Sequence, residues 1–187
     1  MNCAEIKYYD IANGLGVRTS LFVSGCTHRC EGCFNEVAWD FAYGEPFTEE
    51  IGERIIAATA PEFIRGLTLL GGEPMEPVNQ RALLPFLQKF KTQLPEKDIW
   101  CYTGYTLERD LCPRLSGDDH GESAAHDKAR CEVTDALLAL IDVLVDGEFI
   151  LAQKSVSLQF RGSKNQRLID LKRSLASGGT VLLEIAE

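Results

Sequence analysis

The chain has 187 residues, of which 45% are hydrophobic, and this is enough for one domain with a sizeable core. Its formal net charge of −9 argues against nucleic-acid binding, which requires a basic face. Because no apolar run is long enough to span a membrane and the first residues lack a signal-peptide pattern, we expect a cytoplasmic protein with no membrane partner.

Short apolar segments recur along the chain and predict buried strands. Four of them run into glycine-containing turns or loops, and a fifth lies near the C-terminus. Continuous apolar strands punctuated by glycine are typical of a parallel sheet that is covered on its faces. The predicted strands are Ser20–Ser24, Gly66–Leu70, Asp98–Thr103, Ile141–Asp146 and Thr180–Ile185.

Helices are predicted between these strands. Thr48 can cap the first helix, because two glutamates follow it and apolar residues then recur on one face. In the second helix Pro85 must lie in the first turn or produce a kink, because proline cannot donate a backbone hydrogen bond. The predicted helices lie around residues 48–58, 83–94, 137–141 and 168–175.

This alternation of strands and helices predicts an α/β fold, either an open sheet or a partial barrel with right-handed crossovers. Active sites of such folds lie at the carboxyl ends of the strands, so four marked segments should converge on one rim. The polar stretch 116–131 is expected to be a surface insertion in a single domain spanning residues 1–187. The marked segments are the cysteine loop after Ser24, Gly71–Pro74, Tyr102–Tyr105 and Asp146–Gly147.

Three cysteines, Cys26, Cys30 and Cys33, stand on one short loop in the spacing C-x3-C-x2-C. An iron–sulfur cubane has four irons, so three thiolate ligands leave one iron open for chemistry. A structural zinc site that includes His28 and an incidental cluster of thiols are the alternatives. The other four of the seven cysteines do not repeat this spacing, which argues against a disulfide scaffold and favours a cluster in a reducing compartment.

The segment Gly71-Gly72-Glu73-Pro74 follows the second predicted strand. Taken alone it would be an ordinary turn. Two glycines, however, let backbone carbonyls approach a ligand closely, and these carbonyls can accept hydrogen bonds from an ammonium group together with the Glu73 carboxylate. Its position one strand–helix unit after the cysteine loop favours a binding role.

The cysteine spacing and this turn resemble those of the radical S-adenosyl-L-methionine (SAM) superfamily. The stretch Asp10–Arg18 resembles the segment that leads into the cysteine motif of enzymes that activate glycyl-radical enzymes. Gly32 departs from the superfamily, where an aromatic residue often precedes the last cysteine, and the 116–131 stretch is longer than usual. Four further segments resemble the group that activates anaerobic ribonucleotide reductase, namely Cys33–Asn35, Ile99–Tyr105, Val143–Phe149 and Arg161–Arg167.

The resemblance implies a partial (β/α) barrel of the radical SAM type, with a mostly parallel sheet and helices on its outer face. A 4Fe–4S cluster would cleave SAM reductively, and the resulting radical would take a hydrogen atom from a glycine of the partner, anaerobic (class III) ribonucleoside-triphosphate reductase. The electron would come from a donor such as flavodoxin or ferredoxin, and no side chain is expected to act as an acid or base. The implied residues are Cys26, Cys30 and Cys33 at the metal, and Gly32, Cys33, Phe34, Gly71, Gly72, Glu73 and Asp146 at the cofactor.

Three other functions remain open at this point. The chain could activate another glycyl-radical enzyme, such as pyruvate formate-lyase, although those activases are usually longer. It could be a small-molecule radical SAM enzyme, such as a deazaguanine synthase, which should carry polar substrate-binding residues in its barrel. It could also be a zinc-stabilised binding module without catalysis, which would be colourless, whereas an iron–sulfur protein is brown.

Overall fold

A computed structural model describes residues 1–115 and 129–185, so most of the expected insertion at 116–131 lies outside the described residues. None of the helices it describes is long and apolar enough to cross a membrane. The strands are β1 (Asn2–Asp10), β2 (Val17–Val23), β3 (Glu45–Pro46), β4 (Ile64–Gly71), β5 (Asp98–Tyr102), β6 (Val143–Asp146) and β7 (Arg167–Asp170). The α-helices are α1 (Glu49–Thr59), α2 (Pro77–Gln93), α3 (Thr134–Leu138) and α4 (Leu171–Ser177).

The seven strands form one mixed sheet in the order β3-β1-β2-β4-β5-β6-β7. The central strands β2, β4, β5 and β6 are parallel, whereas β1, β3 and β7 pair antiparallel at the two sides. The predicted α/β class is therefore confirmed, but the expected parallel arrangement holds only for the centre. Val23 at the end of β2 pairs with Gly71 at the end of β4, which brings the cysteine loop and the glycine turn to the same edge.

The C-terminal part of the fold differs from the prediction. Thr180–Ile185 is not a strand of the sheet, because it makes only an isolated bridge between Leu182 and Ile169. The last strand is instead β7, in the region where a helix was predicted. That helix, α4, begins only at Leu171, where the Asp170 carboxylate accepts a hydrogen bond from the backbone N–H of Arg173 at 3.0 Å and caps its first turn.

The helices pack on one face of the sheet. Alternate residues of the central strands, such as Leu21, Leu69 and Cys101, join side chains of all four helices in the main core. The opposite face carries a smaller cluster around Trp100, and the described residues that cover it come from irregular segments, among them Phe160. One sheet face is therefore free of described helices.

The first two helices form largely as predicted. The Thr48 hydroxyl oxygen accepts a hydrogen bond from the Ile51 backbone N–H at 3.3 Å, which confirms the predicted cap of α1. In α2, Pro77 takes the first position, where a missing N–H costs nothing. Pro85 lies in the interior of the helix and not in its first turn.

Candidate functional site

A cavity of about 420 Å³ lies at the carboxyl ends of the parallel strands and extends along the sheet face that has no described helices. The four segments that the sequence predicts to converge all contribute to its lining. Its lining residues from these segments are Cys26, His28, Cys30, Gly32, Cys33, Phe34, Gly71, Gly72, Glu73, Tyr102, Thr103, Gly104 and Gly147.

The cysteine loop begins where β2 ends and is held by the protein itself. The Gly25 N–H donates to the Ala38 carbonyl at 2.8 Å, so the loop folds back on itself. Thr27 donates both its backbone N–H and its hydroxyl to Glu76 Oε1, at 2.8 and 2.6 Å. Glu76 is the residue immediately before α2 and is buried, but its side chain does not cap the helix, and nothing in its sequence surroundings singles it out.

The three loop cysteines line the same cavity as free thiols. Cys26 is buried, and its burial, together with the nearby Glu73 charge, raises the pKa of its thiol to about 12. Burial likewise raises the pKa of the Cys30 thiol to about 11, and the carboxylate of Glu148 adds to the effect. Thiolates here therefore need a cation beside them, and a coordinated metal would provide one.

His28 does not complete a metal site with these cysteines. Its Nε2 lies 3.2 Å from Glu73 Oε2, and its ring packs edge-on against Tyr105 with ring centroids 4.4 Å apart. Burial lowers the pKa of His28, but the hydrogen bond to Glu73 and the negative charges of Glu73, Glu148 and Glu76 together outweigh it and raise the pKa above its usual value. Among the described residues no three His, Cys, Asp or Glu side chains are grouped to hold one metal ion. The contacts of His28 with Glu73 and Tyr105 therefore argue against the zinc site that would include His28.

Glu73 ties three segments of the cavity rim together. Its carboxylate is buried and accepts hydrogen bonds from the backbone N–H groups of Met75, at 2.8 Å, and Gly104, at 2.7 Å. With His28 as the third neighbour, it links the glycine turn to the cysteine loop and to the end of β5. Both carboxylate oxygens are thus already engaged within the protein, which the sequence did not predict.

The glycine pair is needed for close backbone packing. Gly71 has φ +109°, and a Cβ atom there would lie 2.8 Å from the Phe22 Cα. A Cβ atom on Gly72 would lie 2.6 Å from the carbonyl oxygen of Gly25, at the start of the cysteine loop. The sequence predicts close approach to a ligand, and the structure shows close approach of the glycine turn to the cysteine loop.

Of the other residues predicted to bind the cofactor, Phe34 and Gly32 line the cavity and Asp146 does not. Phe34 is 86% exposed at the cavity mouth, and Gly32 packs where a Cβ atom would lie 2.9 Å from Leu151. Asp146 is buried and is not part of the described cavity lining. Its carboxylate accepts hydrogen bonds at 2.9 Å from the Leu107 N–H and from Arg167 Nε, so the structure gives it an internal partner.

Apart from His28 Nε2, which lies 3.2 Å from Glu73 Oε2, two polar atoms in the cavity lining have no hydrogen-bond partner in the part of the chain that the structure describes. They are the Tyr102 hydroxyl and Arg161 Nε, and both atoms are buried. A buried polar group without a partner is costly, so these atoms fit a ligand that carries hydroxyl or carboxylate groups. SAM carries both, and with three free thiols in the same lining the residues present fit a cluster and SAM.

Arg161 belongs to the segment Arg161–Arg167, one of the four that carry the resemblance to the activating group. This segment is a loop up to Gln166, after which β7 begins. Together with residues 154–160 this loop forms much of the remaining cavity wall. It is pinned by the buried Ser163, whose hydroxyl oxygen accepts from the Ile150 N–H at 3.2 Å, and by an isolated bridge between Lys154 and Ser163.

The residues that form this site lie in the part of the chain that matches the model of a known protein family. The model of the family described as "4Fe-4S single cluster domain" matches residues 12–169, which is most of the chain. The chain therefore belongs to this family of iron–sulfur proteins, and the matched range includes both the cysteine loop and the glycine turn.

Curated relatives narrow the family further. The chain is similar to proteins of Vibrio cholerae (44% identity over 168 residues, 89% of this chain and 96% of the relative) and Haemophilus influenzae (43% over 166 residues, 86% and 94%). It is also similar to a protein of Escherichia coli, at 39% identity over 168 residues, 89% of this chain and 96% of the relative. All three are named anaerobic ribonucleoside-triphosphate reductase-activating protein, and the chain belongs to their family.

Proposed function

We propose that this protein is a radical SAM activase that generates a glycyl radical on anaerobic ribonucleoside-triphosphate reductase. The observation that carries the proposal is the single cavity that gathers three free cysteines, the glycine turn and two unpartnered polar atoms. Membership in a family of activating proteins for this reductase supports the activase role and the identity of the partner.

Within this proposal Cys26, Cys30 and Cys33 hold a 4Fe–4S cluster. The cluster supplies, when bound, one electron to the sulfonium of SAM, and the protein supplies ligation, orientation and exclusion of side reactions. We assign the Gly32–Phe34 segment to the adenine side of the cavity. The turn Gly71–Glu73 faces the methionyl amino group, which its backbone carbonyls receive while the Glu73 carboxylate holds the turn in place.

Two further roles follow from the cavity wall. Arg161 offers a buried Nε to the carboxylate of SAM, because that nitrogen has no described partner. Asp146, predicted to bind the cofactor, acts through its neighbour Gly147, since its own carboxylate is engaged by Arg167. In both assignments a buried charged group has a partner of opposite charge: the SAM carboxylate for Arg161, and Arg167 for Asp146.

We further propose a fold type, an electron donor and a cellular compartment for this activity. The fold is a partial radical SAM barrel in a single domain, and the sheet face without described helices leaves room for a macromolecular substrate. A one-electron donor such as flavodoxin or ferredoxin reduces the cluster, and the reducing cytoplasm keeps the thiols available for iron.

The test is anaerobic incubation of the iron-loaded protein with SAM, dithionite and the reductase, followed by electron paramagnetic resonance. A doublet from a carbon-centred glycyl radical on the reductase, and reduction of ribonucleoside triphosphates afterwards, is the expected result. The Cys30→Ala protein is the matched control and should give no radical.

Other outcomes of this experiment point to the alternative functions. A radical on pyruvate formate-lyase but not on the reductase would assign the chain to the neighbouring activases. SAM cleavage without a protein radical on either partner would indicate a small-molecule enzyme. A colourless protein that contains zinc would overturn the proposal altogether.

A further inference from the structure

The segment Asn13–Arg18 carries a buried charge that the proposed chemistry does not use. Arg18 lies on the sheet face that bears the cavity and is 0% exposed. One of its terminal nitrogens lies 2.6 Å from Asp98 Oδ1, and its guanidinium carbon lies 5.3 Å from the centroid of the Trp100 ring. A cation so deeply buried is costly unless each of its donors is used.

The donors of Arg18 lead to the cavity wall. Its Nε donates to the Thr68 hydroxyl oxygen at 2.7 Å, and the Thr68 hydroxyl in turn donates to the carbonyl of Asn13 at 2.8 Å. Another guanidinium nitrogen donates to the carbonyl of Leu15 at 3.2 Å. One buried arginine therefore fastens the loop between β1 and β2 to the middle of the sheet.

This loop is part of the cavity. Ala12 and Asn13 line it together with the glycine turn and Tyr102. The loop can lie this close only because Gly14 has φ +136° and no side chain, since a Cβ atom there would lie 2.8 Å from Arg18 Cδ and 3.0 Å from the Trp100 ring. The sequence Asn13-Gly14-Leu15-Gly16-Val17-Arg18 is thus one structural unit, in which the glycines permit the contact and the arginine makes it.

We infer that Arg18 and Thr68 are positioning residues for SAM, acting through the hydrogen-bonded chain Arg18–Thr68–Asn13 that holds one wall of the cavity. The inference rests on the proposed function, because it takes SAM as the ligand. The unpartnered Tyr102 hydroxyl lies in the same lining, and it can meet a polar group of the ligand only if the facing wall is held at a fixed distance. If the wall is already ordered in the free protein, less conformational entropy is lost when the ligand binds.

Thr68→Val tests the chain, because valine keeps the shape of threonine and removes the hydroxyl. We expect the Kd for SAM, measured anaerobically by calorimetry on the iron-loaded protein, to rise about tenfold, as for one lost hydrogen bond to a charged group. Iron content and the visible spectrum should stay at wild-type values. Thr68→Ser restores the hydroxyl and should return the Kd to within about twofold of wild type.

The matched control is Thr59→Val. Thr59 is equally buried, and its hydroxyl also donates to a backbone carbonyl, that of Ile55 at 2.7 Å, but it lies in α1 on the other side of the sheet. Both valine variants should lower the Tm, whereas only the variant at Thr68 should change the Kd. A purely structural role for Thr68 would lower the Tm and leave the Kd unchanged at temperatures well below it.

The outcomes separate this inference from the proposed function. If wild type binds SAM and Thr68→Val binds it equally well, the positioning role is wrong and the proposed function stands. If wild type with a full cluster does not bind SAM, both fail. Should Thr68→Val not fold, Asp98→Asn decides, because it weakens the ion pair that anchors Arg18 from outside the cavity: a raised Kd supports the chain, and an unchanged Kd overturns it.

Discussion

At the scale of single residues, the seven cysteines fall into two groups by their surroundings. Three of them line the cavity, whereas Cys112 is 1% exposed within the main core and Cys131 contacts the buried Gln80. A thiol in an apolar core behaves as a small hydrophobic group. Only the first group is placed to reach a common ligand.

Replacing Cys26, Cys30 or Cys33 with alanine should therefore abolish iron binding and SAM cleavage together, because a three-ligand cluster has no ligand to spare. Iron per chain and visible absorption after anaerobic reconstitution measure the first effect, and methionine release measures the second. Cys112→Ala is the control and should bind iron like wild type. A need for Cys112 in iron binding would contradict the three-ligand assignment.

Glu73 leads to a second prediction at this scale. Glu73→Gln replaces one carboxylate oxygen by an NH₂ group that faces either the Met75 or the Gly104 N–H, so a donor meets a donor. Unfolding by urea should show a loss of about 1–3 kcal/mol, the range for a lost hydrogen bond to a charged group. SAM binding should weaken as a consequence, because the turn that we propose to receive the amino group of SAM loses its support.

The exposed Glu96→Gln is the control for this measurement, and its free energy of unfolding should stay within about 0.5 kcal/mol of wild type. If Glu73→Gln binds SAM more weakly but its free energy of unfolding is unchanged, the Glu73 carboxylate contacts SAM directly and does not act by supporting the turn.

At the scale of elements, the first turn of α2 organises the site from behind. Glu76 holds the cysteine loop through Thr27, and the Asn79 side chain donates to the carbonyls of Ser24 and Glu73 at 3.0 and 2.9 Å. Both marked loops are therefore fixed to the same helix end. Their relative position is set by a rigid element and not by the loops alone.

The elements also show what could be predicted from the sequence. The central strands β2, β4, β5 and β6 each contain a short apolar run, and these runs predict the strands within a few residues. The strand β1 was missed because Glu5 and Lys7 interrupt its apolar pattern, as is usual for a strand with an exposed face. The short β7 was missed because Leu168, Leu171 and Leu175 have helical spacing, while its pairing with β6 depends on contacts distant in sequence.

The candidate site also contains residues that the sequence identifies and residues that it does not. Cys26, Cys30 and Cys33 could be identified because their spacing is local and unusual. Glu76 and Arg18 could not, because their importance arises from partners such as Thr27 and Thr68, the latter 50 positions away. The sequence offers one indirect signal for Arg18, namely the glycine-rich segment that precedes it.

An ion-pair network joins three elements and makes stability depend on pH. Glu108, in the π-helical turn Leu107–Leu111, accepts hydrogen bonds from Arg167 in β7, at 3.0 and 2.7 Å, and from Thr180. Burial raises the pKa of Glu108, but these hydrogen bonds outweigh it and lower the pKa from 4.5 to about 2. The network therefore stabilises the fold above about pH 4.5, and this contribution is lost as the pH falls toward 2.

Glu108→Gln should accordingly lower the Tm at neutral pH, and the difference from wild type should shrink as the pH is lowered from about 7 to about 3. Thermal unfolding followed by circular dichroism over this range measures it. Glu132→Gln is the comparison, because Glu132 pairs with Arg81 in full exposure, where solvent screens the pair. A pH-independent difference for Glu108→Gln would show that the ion pair does not stabilise the fold.

At the scale of the whole molecule, the main core and the cysteine loop are stabilised by separate sets of contacts. The main core joins the four helices to one sheet face, and the loop has its own hydrogen bonds, such as the one from the Glu73 N–H to the Gly25 carbonyl at 2.8 Å. Many small metal-binding domains, in contrast, fold only with their metal.

Removal of iron with a chelator under anaerobic conditions should therefore leave the far-ultraviolet circular dichroism spectrum near that of the loaded protein. Unfolding should remain cooperative, with a lower Tm because bound metal stabilises the folded state by mass action. Loss of the cooperative transition on iron removal would show that the cluster is required for the fold.

The one-sided arrangement of the helices has a consequence for how such a protein can change. The main core lies on one face of the sheet, and the other face, which carries the smaller cluster around Trp100, is partly covered by the segments Asp10–Arg18 and 147–166. Insertions and replacements in loops are tolerated where few core contacts are lost. Transplanting residues 148–160 from an activase with a different partner, with Arg161 kept, should therefore be possible without redesigning the helical side. This half of the molecule is then the natural place to engineer a change of protein substrate.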